Sequence, residues 1–219
     1  VLGHEVSGIV EAVGEGVRDL RPGDHVVGAL SVFCGTCPQC LGGRFALCAD
    51  TDVKQPPGKA RRLSHAGQPV SQVFNLSGFA EKMLVHRNAL VKIRDDMPLD
   101  LAALLGCAVI TGTGAVFRTA QVRPGATVAV VGCGGVGLAA VNGAAIAGAS
   151  RVIAVDMSPS KLALARQLGA TDTVEEQVHG AEAGCVVDDL PAMERVITEV
   201  ALLVPVEERV SRHVSVSLQ

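Results

Sequence analysis

Apolar positions alternate with small or polar ones in short runs over the first third of the chain. EVSGIVEAV, residues 5–13, reads as a strand with Val6, Gly8, Val10 and Ala12 on one face. GEGV makes a turn, and RPGDHVVGAL gives a Pro-Gly-Asp turn followed by a second strand from His25. Residues 31–60 lose the alternation and read as a long irregular loop. Residues 69–93 return to strand-like alternation. Short strands parted by glycine turns predict a small β-barrel or sandwich.

Near Pro98 the period changes. PLDLAALLGCAVITGTGAVFRTA reads as helix, break, helix, with Asp100 at the start of the first. The next segment parses as a strand over 127–131, a glycine turn, a helix over 136–147 and a strand over 151–155. A helix then follows, capped by Ser158 with Pro159 at its first position. That is a βαβ unit with a right-handed crossover, followed by another helix. Residues 191–204 fit an amphipathic helix, and the last residues fit a final strand or a frayed end.

Composition sharpens the class. The chain has 219 residues, 48% of them apolar, yet only five Phe and no Tyr or Trp. An aliphatic, glycine-rich interior suits helices packed tightly on a sheet. The missing Tyr excludes a dehydrogenase that uses a catalytic tyrosine in this chain. Residues 1–170 carry 16 Lys and Arg against 12 Asp and Glu, and residues 171–219 carry 3 against 10. Neither part forms a basic face for nucleic acid, and stacking aromatics are lacking; Lys59, Arg61 and Arg62 read as a solvated loop run. The start of the chain has no signal-peptide pattern, and the longest apolar run is broken by glycines and Asn142, so no membrane span is expected. Seven cysteines in that context point to a reducing, cytoplasmic location.

Four of those cysteines, Cys34, Cys37, Cys40 and Cys48, follow the spacing C-x2-C-x2-C-x7-C. Disulfides and a redox pair are alternatives, but a structural zinc fits best. Zinc takes four tetrahedral thiolates, and a C-x2-C turn brings two sulfurs to one side. Such a site is closed, so its role is stability.

Gly132, Gly134 and Gly137 form G-x-G-x-x-G between a strand and a helix, with Gly135 and Val136 inside the motif. The glycines permit a tight turn, close approach to a pyrophosphate and close packing of helix on strand. Asp156 ends the next strand, 19 residues after Gly137, where a ribose-binding carboxylate belongs. Its charge favours NAD over NADP. Lys161 reaches the adenosine ribose or is solvated. The alternative is a purely structural glycine turn with a surface Asp.

GHE at residues 3–5 is a short motif, and taken alone His4 and Cys107 read as packing residues, with Glu5 beside His4. In company they do not. GHEVSGIVEAVGEGV…PGDHVV, the four-cysteine motif, GCAVITGTGAVFRTA and TVAVVGCGGVGLAAVNGAAIAGASRVIAVD run in one order from residue 3 to about 174. In that combination the chain resembles a zinc-dependent alcohol dehydrogenase of the medium-chain dehydrogenase/reductase superfamily.

The resemblance implies a partial GroES-like β-barrel domain at 1–108, with a structural zinc lobe at 31–60. It implies the first half of a Rossmann doubly wound parallel sheet at 109–174, leaving 175–219 as an unmatched acidic tail. It makes Cys34, Cys37, Cys40 and Cys48 the structural zinc ligands. His4 and Cys107 become catalytic-zinc ligands, Glu5 stands beside that zinc, and Thr111 lies near the nicotinamide. The implied reaction is oxidation of an alcohol to an aldehyde or ketone, with hydride passing to NAD, in a homo-oligomer. Cys at position 107 resembles the alcohol and glutathione- or mycothiol-linked formaldehyde dehydrogenase branch; polyol dehydrogenases usually place Glu there. Against the family pattern the chain is expected to be shortened at its N-terminus and divergent after GATDTV. The alternative expectation is therefore a catalytically impaired fragment that binds zinc and a nucleotide. Cys133 reads as a small filler in the glycine turn, Cys185 as a buried or idle thiol, and His25, His65, His86, His179 and His213 as surface or core polar residues.

Overall fold

The computed structural model describes residues 1–50, 53 and 63–175, with the backbone of 195–197 and 213–218. His179, Cys185, Lys59, Arg61 and Arg62 lie outside the described residues. The chain divides into two compact units. One is Val1–Cys107 with Leu203–Gln219, and the other is Ala108–Leu202.

The first unit is built on a five-stranded sheet in the order β5-β11-β1-β2-β6. Its strands are β1 (Ser7–Val13), β2 (His25–Gly28), β5 (Lys82–His86), β6 (Leu90–Lys92) and β11 (His213–Leu218). Every pairing is antiparallel. Val6, Val10, Val26, Leu76, Met83, Val85 and Leu90 form the apolar core under it. Asp24 is buried at the turn before β2 and ties it down. It accepts the Arg21 N–H at 3.0 Å and the Lys92 ammonium at 2.5 Å. That pairing lowers the Asp24 pKa, with the Lys92 bond the leading cause. A small hairpin, β3 (Leu63–His65) with β4 (Gln68–Val70), stands apart from the main sheet.

Two expectations about this unit need correction. Ala12 is exposed rather than aligned with Val6, Gly8 and Val10. The register shifts between Val10 and Ala12, and an extra residue in a strand turns the following side chains to the other face. The loop at 31–60 is not wholly irregular: Pro38–Leu41 forms a helical turn (α1) and Phe45–Leu47 a 3-10 turn. Proline at the first helical position needs no N–H there and presets φ.

Beyond β6 come α2 (Leu99–Ala102), then a 3-10 turn to Gly106, then α3 (Ala108–Gly114), which loosens into a π turn over Ala115–Ala120. The expected break falls at Cys107, whose φ of −142° and ψ of −77° leave the helical region.

The second unit has a parallel sheet in the order β10-β7-β8-β9. Its strands are β7 (Thr127–Val131), β8 (Arg151–Asp156), β9 (Asp172–Glu175) and β10 (Arg195–Ile197). Two helices cover one face: α4 (Gly135–Ile146) and α5 (Pro159–Gln167). Val128, Val130, Val152 and Ala154 meet Ala140, Val141, Ala144, Leu162 and Ala165 there. Ala129, Ile153 and Val155 are buried on the opposite side. A sheet buried on both faces explains the continuous apolar runs at 127–131 and 151–155. β8 and β9 step outward from β7 on one side, and β10 pairs on the other, so the strand order reverses at β7. Ligands of open parallel sheets bind at the carboxyl ends of strands where the order reverses.

The helix expected over 191–204 is corrected at 195–197, where Val196 and Ile197 pair in parallel with Ala129 and Val130. β-branched residues suit that pairing, and a three-residue strand is too short to announce itself by period. Among the described residues, no single helix is long and apolar enough to cross a membrane.

Candidate functional site

The cysteine lobe is assembled by turns. Cys37 sits just before α1, and its carbonyl accepts the Leu41 N–H at 2.9 Å; the Cys40 carbonyl accepts the Gly43 N–H at 3.0 Å. Phe33 and Phe45 pack beside it with ring centroids 4.6 Å apart. The result draws the four sulfurs to within 4.8 Å of one another. Cys37 Sγ lies 3.5 Å from Cys40 Sγ and 4.0 Å from Cys48 Sγ, and Cys34 Sγ lies 3.9 Å from Cys40 Sγ. Four sulfurs each about 2.3 Å from one tetrahedral ion stand about 3.8 Å apart. A disulfide needs about 2.05 Å, so none of these sulfurs is bonded to another in a disulfide.

Backbone donors surround the same sulfurs. Cys34 Sγ accepts N–H groups from Thr36 at 3.4 Å and Cys37 at 3.2 Å, and the Thr36 hydroxyl lies at 3.6 Å. Cys48 Sγ accepts the Cys34 N–H at 3.4 Å. The Cys37 thiol is lowered to about 6, chiefly by backbone bonds from Cys40 and Ala49. Burial works against the Cys34 thiolate, but the Thr36 and Cys37 donors prevail and its pKa falls. Burial pushes Cys40 up to about 12. A neighbouring dication is what draws the proton from such a buried thiol. The donor set, spacing and N–H···S bonds therefore fit a structural zinc. Thr36 and Ala49 were not singled out from the sequence; the only hint was their place beside ligand cysteines.

The glycine turn joins β7 to α4. Gly132 has φ +89°, in the left-handed region, and its N–H bonds the Val155 carbonyl at 2.8 Å. A Cβ on Gly137 would fall 1.7 Å from the Gly132 carbonyl oxygen, so only glycine lets α4 start this close to the turn. A Cβ on Gly134 would meet nothing within 4 Å, which leaves that side of the turn open to a ligand. Helix α4 has no side-chain cap and no acidic residue in its first turn. Its leading N–H groups lack helical partners and suit an anion.

Asp156 closes the turn from the end of β8. Its Oδ2 accepts the Cys133 N–H at 2.7 Å and lies 3.5 Å from Lys161 Nζ; its Oδ1 accepts the Ser158 N–H at 2.9 Å. Only 8% of the side chain is exposed. Burial pushes its pKa up, but the two N–H donors and Lys161 outweigh burial, so it sits below its ordinary value. Ser158 occupies the cap position of α5 but does not cap it with its hydroxyl, which instead lies 2.9 Å from the Ser160 hydroxyl. The fit to a dinucleotide rests on this set: a turn open at Gly134, an uncapped helix start and an ionised carboxylate at the strand end.

The remaining candidates come from separate parts of the sequence. His4 is partly buried, its ring edge-on to Phe74 at 5.5 Å. Glu5 is exposed, Cys107 is partly buried, and Thr111 is exposed on α3. Among the described residues, the cysteine lobe comes together as a metal-ligand group, whereas His4, Glu5 and Cys107 do not. A catalytic zinc takes three protein ligands, and His4, Glu5 and Cys107 do not lie within 4.8 Å of one another as a set.

Comparison with known proteins gives independent landmarks. Residues 1–95 match the family model "Alcohol dehydrogenase GroES-like domain", and residues 135–190 match "Zinc-binding dehydrogenase". The chain is 41% identical over 195 residues to an alcohol dehydrogenase class-3 of Pisum sativum, covering 87% of this chain and 52% of the relative. It is 46% identical over 176 residues to an S-(hydroxymethyl)glutathione dehydrogenase of Haemophilus influenzae, covering 78% of this chain and 47% of the relative. A solved alcohol dehydrogenase zinc-binding domain protein from Burkholderia ambifaria superposes with a TM-score of 0.72 at 42% identity, covering 80% of this chain and 48% of that one. The chain spans about half the length of the curated relatives it matches.

Proposed function

From the premise that the chain belongs to the medium-chain zinc alcohol dehydrogenase family, we propose that it serves NAD-linked oxidation of an alcohol to an aldehyde or ketone. The observation that carries this reading is the Asp156–Cys133 bond, which places an ionised carboxylate at the glycine turn between β7 and α4. NAD, when bound, supplies the hydride acceptor. The chain's own residues do the holding. Gly134 and the start of α4 receive the pyrophosphate. Asp156, through its remaining lone pairs, accepts ribose hydroxyls and repels a 2′-phosphate, with Lys161 beside it. Cys34, Cys37, Cys40 and Cys48 hold a zinc that cross-links residues 34–48 and takes no part in the reaction. Four cysteines outside any disulfide suit a reducing compartment such as the cytoplasm.

His4, Glu5, Cys107 and Thr111 are the alcohol-side residues by resemblance. Their ligand atoms, from His4, Glu5 and Cys107, do not lie within 4.8 Å of one another as a set. That same observation favours a second reading: a zinc- and nucleotide-binding chain without the oxidation.

Zinc-loaded protein assayed for alcohol-dependent NADH formation, with zinc counted per chain, separates the two. Turnover with two zincs per chain supports the enzyme. One zinc per chain with NAD binding and no turnover supports the second reading. Absence of both NADH formation and NAD binding contradicts both.

A further inference from the structure

We propose that a cleft at the amino end of β7 binds a small carboxylate with a short apolar body, its head group on Arg123 and its body on Val122, Ala126 and Val128. This goes beyond the proposed oxidation, since the cleft lies at the opposite end of β7 from the glycine turn.

The cleft has a volume of about 450 Å³ and is walled by the segment that joins the π turn to β7. Pockets that take small molecules run from about 300 to 1,000 Å³. Main-chain bonds set its shape. Gln121 ends the π turn with φ +49°, in the left-handed region, and the Val122 N–H returns to the Val116 carbonyl at 3.1 Å. The next turn is closed by the Ala126 N–H on the Arg123 carbonyl at 3.1 Å. Beyond the end of α4, the Gly148 carbonyl accepts the Gly125 N–H at 2.8 Å, and the Ser150 N–H donates to the Ala126 carbonyl at 2.9 Å. Walls held in this way stand before a ligand arrives, which lowers the ordering cost of binding.

Three polar side chains line the cleft: Gln121, Arg123 and Thr127. Among the described residues, none of the three side chains has a hydrogen-bond or ion-pair partner. Their surroundings fix the sign of the ligand. Residues 101–155 hold three arginines and no Asp, Glu or Lys. Of those arginines, Arg151 stands beside Thr127 in register but is gripped by Asp172 at 2.9 and 3.1 Å. Arg118 is not among the lining residues. Arg123 is the lining cation left to take an anion. A guanidinium presents two parallel N–H groups to a carboxylate, and the Thr127 hydroxyl and Gln121 amide add donors to the same lining. Val122, Ala126 and Val128 give the cleft an apolar wall. A fully hydrated inorganic anion would leave that wall unused, whereas a short hydrocarbon tail covers it.

Amide NMR titration of the full chain with butyrate, at fixed pH and ionic strength, tests this. The expected result is saturable shifts over 120–128, with 132–137 unmoved. Butyramide, which keeps the tail and lacks the charge, and inorganic phosphate, which keeps the charge and lacks the tail, should each bind about tenfold more weakly or worse. Arg123 is exposed and unpartnered among the described residues, so Arg123→Gln should keep its melting temperature and lose about tenfold or more in butyrate affinity. Arg123→Lys, which keeps the charge without the fork, should fall between the two. Absence of saturable shifts overturns the proposal, as does undiminished binding by Arg123→Gln. Equal binding of butyramide or of phosphate overturns the assigned ligand class, and shifts centred on 132–137 place the anion at the start of α4 instead.

Discussion

Asp156 Oδ2 accepts the Cys133 N–H at 2.7 Å, joining the end of β8 to the glycine turn after β7. One carboxylate therefore shapes the turn, and under the proposed function it would also accept the ribose hydroxyls. Asp156→Ala leaves the Cys133 and Ser158 N–H groups without their acceptor. Hydrogen bonds to a charged group contribute about 1.5–3 kcal/mol, so thermal unfolding should move down accordingly. NAD affinity should fall by about tenfold or more, and the preference over NADP should shrink. Titration with both nucleotides checks it; unchanged selectivity would remove Asp156 from the ribose site.

Gly137→Ala places a methyl 1.7 Å from the Gly132 carbonyl oxygen. The clash is with backbone, so the two segments cannot both stay in place and α4 must shift away from β7. Overpacking of this kind costs about 1–3 kcal/mol and here displaces the N–H groups of the helix start. The expected outcome is a lower melting temperature together with lost NAD binding. Gly134→Ala is the contrast, since its Cβ meets no protein atom. It should fold normally and lose NAD affinity alone, as differential scanning and titration would show.

Cys40→Ser should abolish zinc at the cysteine lobe. Cys40 is buried and lies 3.5 Å from Cys37 Sγ and 3.9 Å from Cys34 Sγ. The loss should read as one zinc fewer per chain, with faster proteolysis within 31–50. Chelation of the unmutated protein should reproduce both effects, because a structural zinc contributes directly to folding. An unchanged zinc count after Cys40→Ser would place the metal elsewhere.

Acid should loosen the β8–β9 pairing through one carboxylate. Arg151 grips Asp172 in two bonds, Nε to Oδ2 at 2.9 Å and Nη2 to Oδ1 at 3.1 Å. With help from Thr171, that holds the Asp172 carboxyl down to about 2. A free Asp titrates near 3.9, so the folded state binds its proton less readily than the unfolded chain. The contribution is complete above about pH 4 and fades as pH falls toward about 2. Asp172→Asn should therefore lower the melting temperature across the neutral region, leave it nearly unchanged near pH 2, and flatten the profile between.

Much of this was readable from residues. The glycine turn and Asp156 were legible because φ > 0 at Gly132 and near-contact at Gly137 are demands only glycine meets, and they leave a fixed spacing. The cysteine lobe was legible because four ligands in fifteen residues need only local turns. Strands β7 and β8 showed as apolar runs because both their faces are buried. The misses were non-local. Strand β10 looked helical because three residues carry no period, and its pairing with β7 is decided across the sheet. The register shift after Val10 has no local signature, and neither has the hydroxyl of Ser158 choosing Ser160 over the backbone. His4, Glu5 and Cys107 were joined by resemblance alone, since residues a hundred positions apart leave no spacing to read.

The central claim is that this chain carries a working NAD site closed by Asp156. Calorimetric titration of the zinc-loaded protein with NAD, repeated with NADP, tests it most directly. The account predicts saturable binding of NAD, one per chain, at least tenfold tighter than NADP. Absence of NAD binding by the folded, zinc-loaded protein, or equal affinity for the two nucleotides, would contradict it.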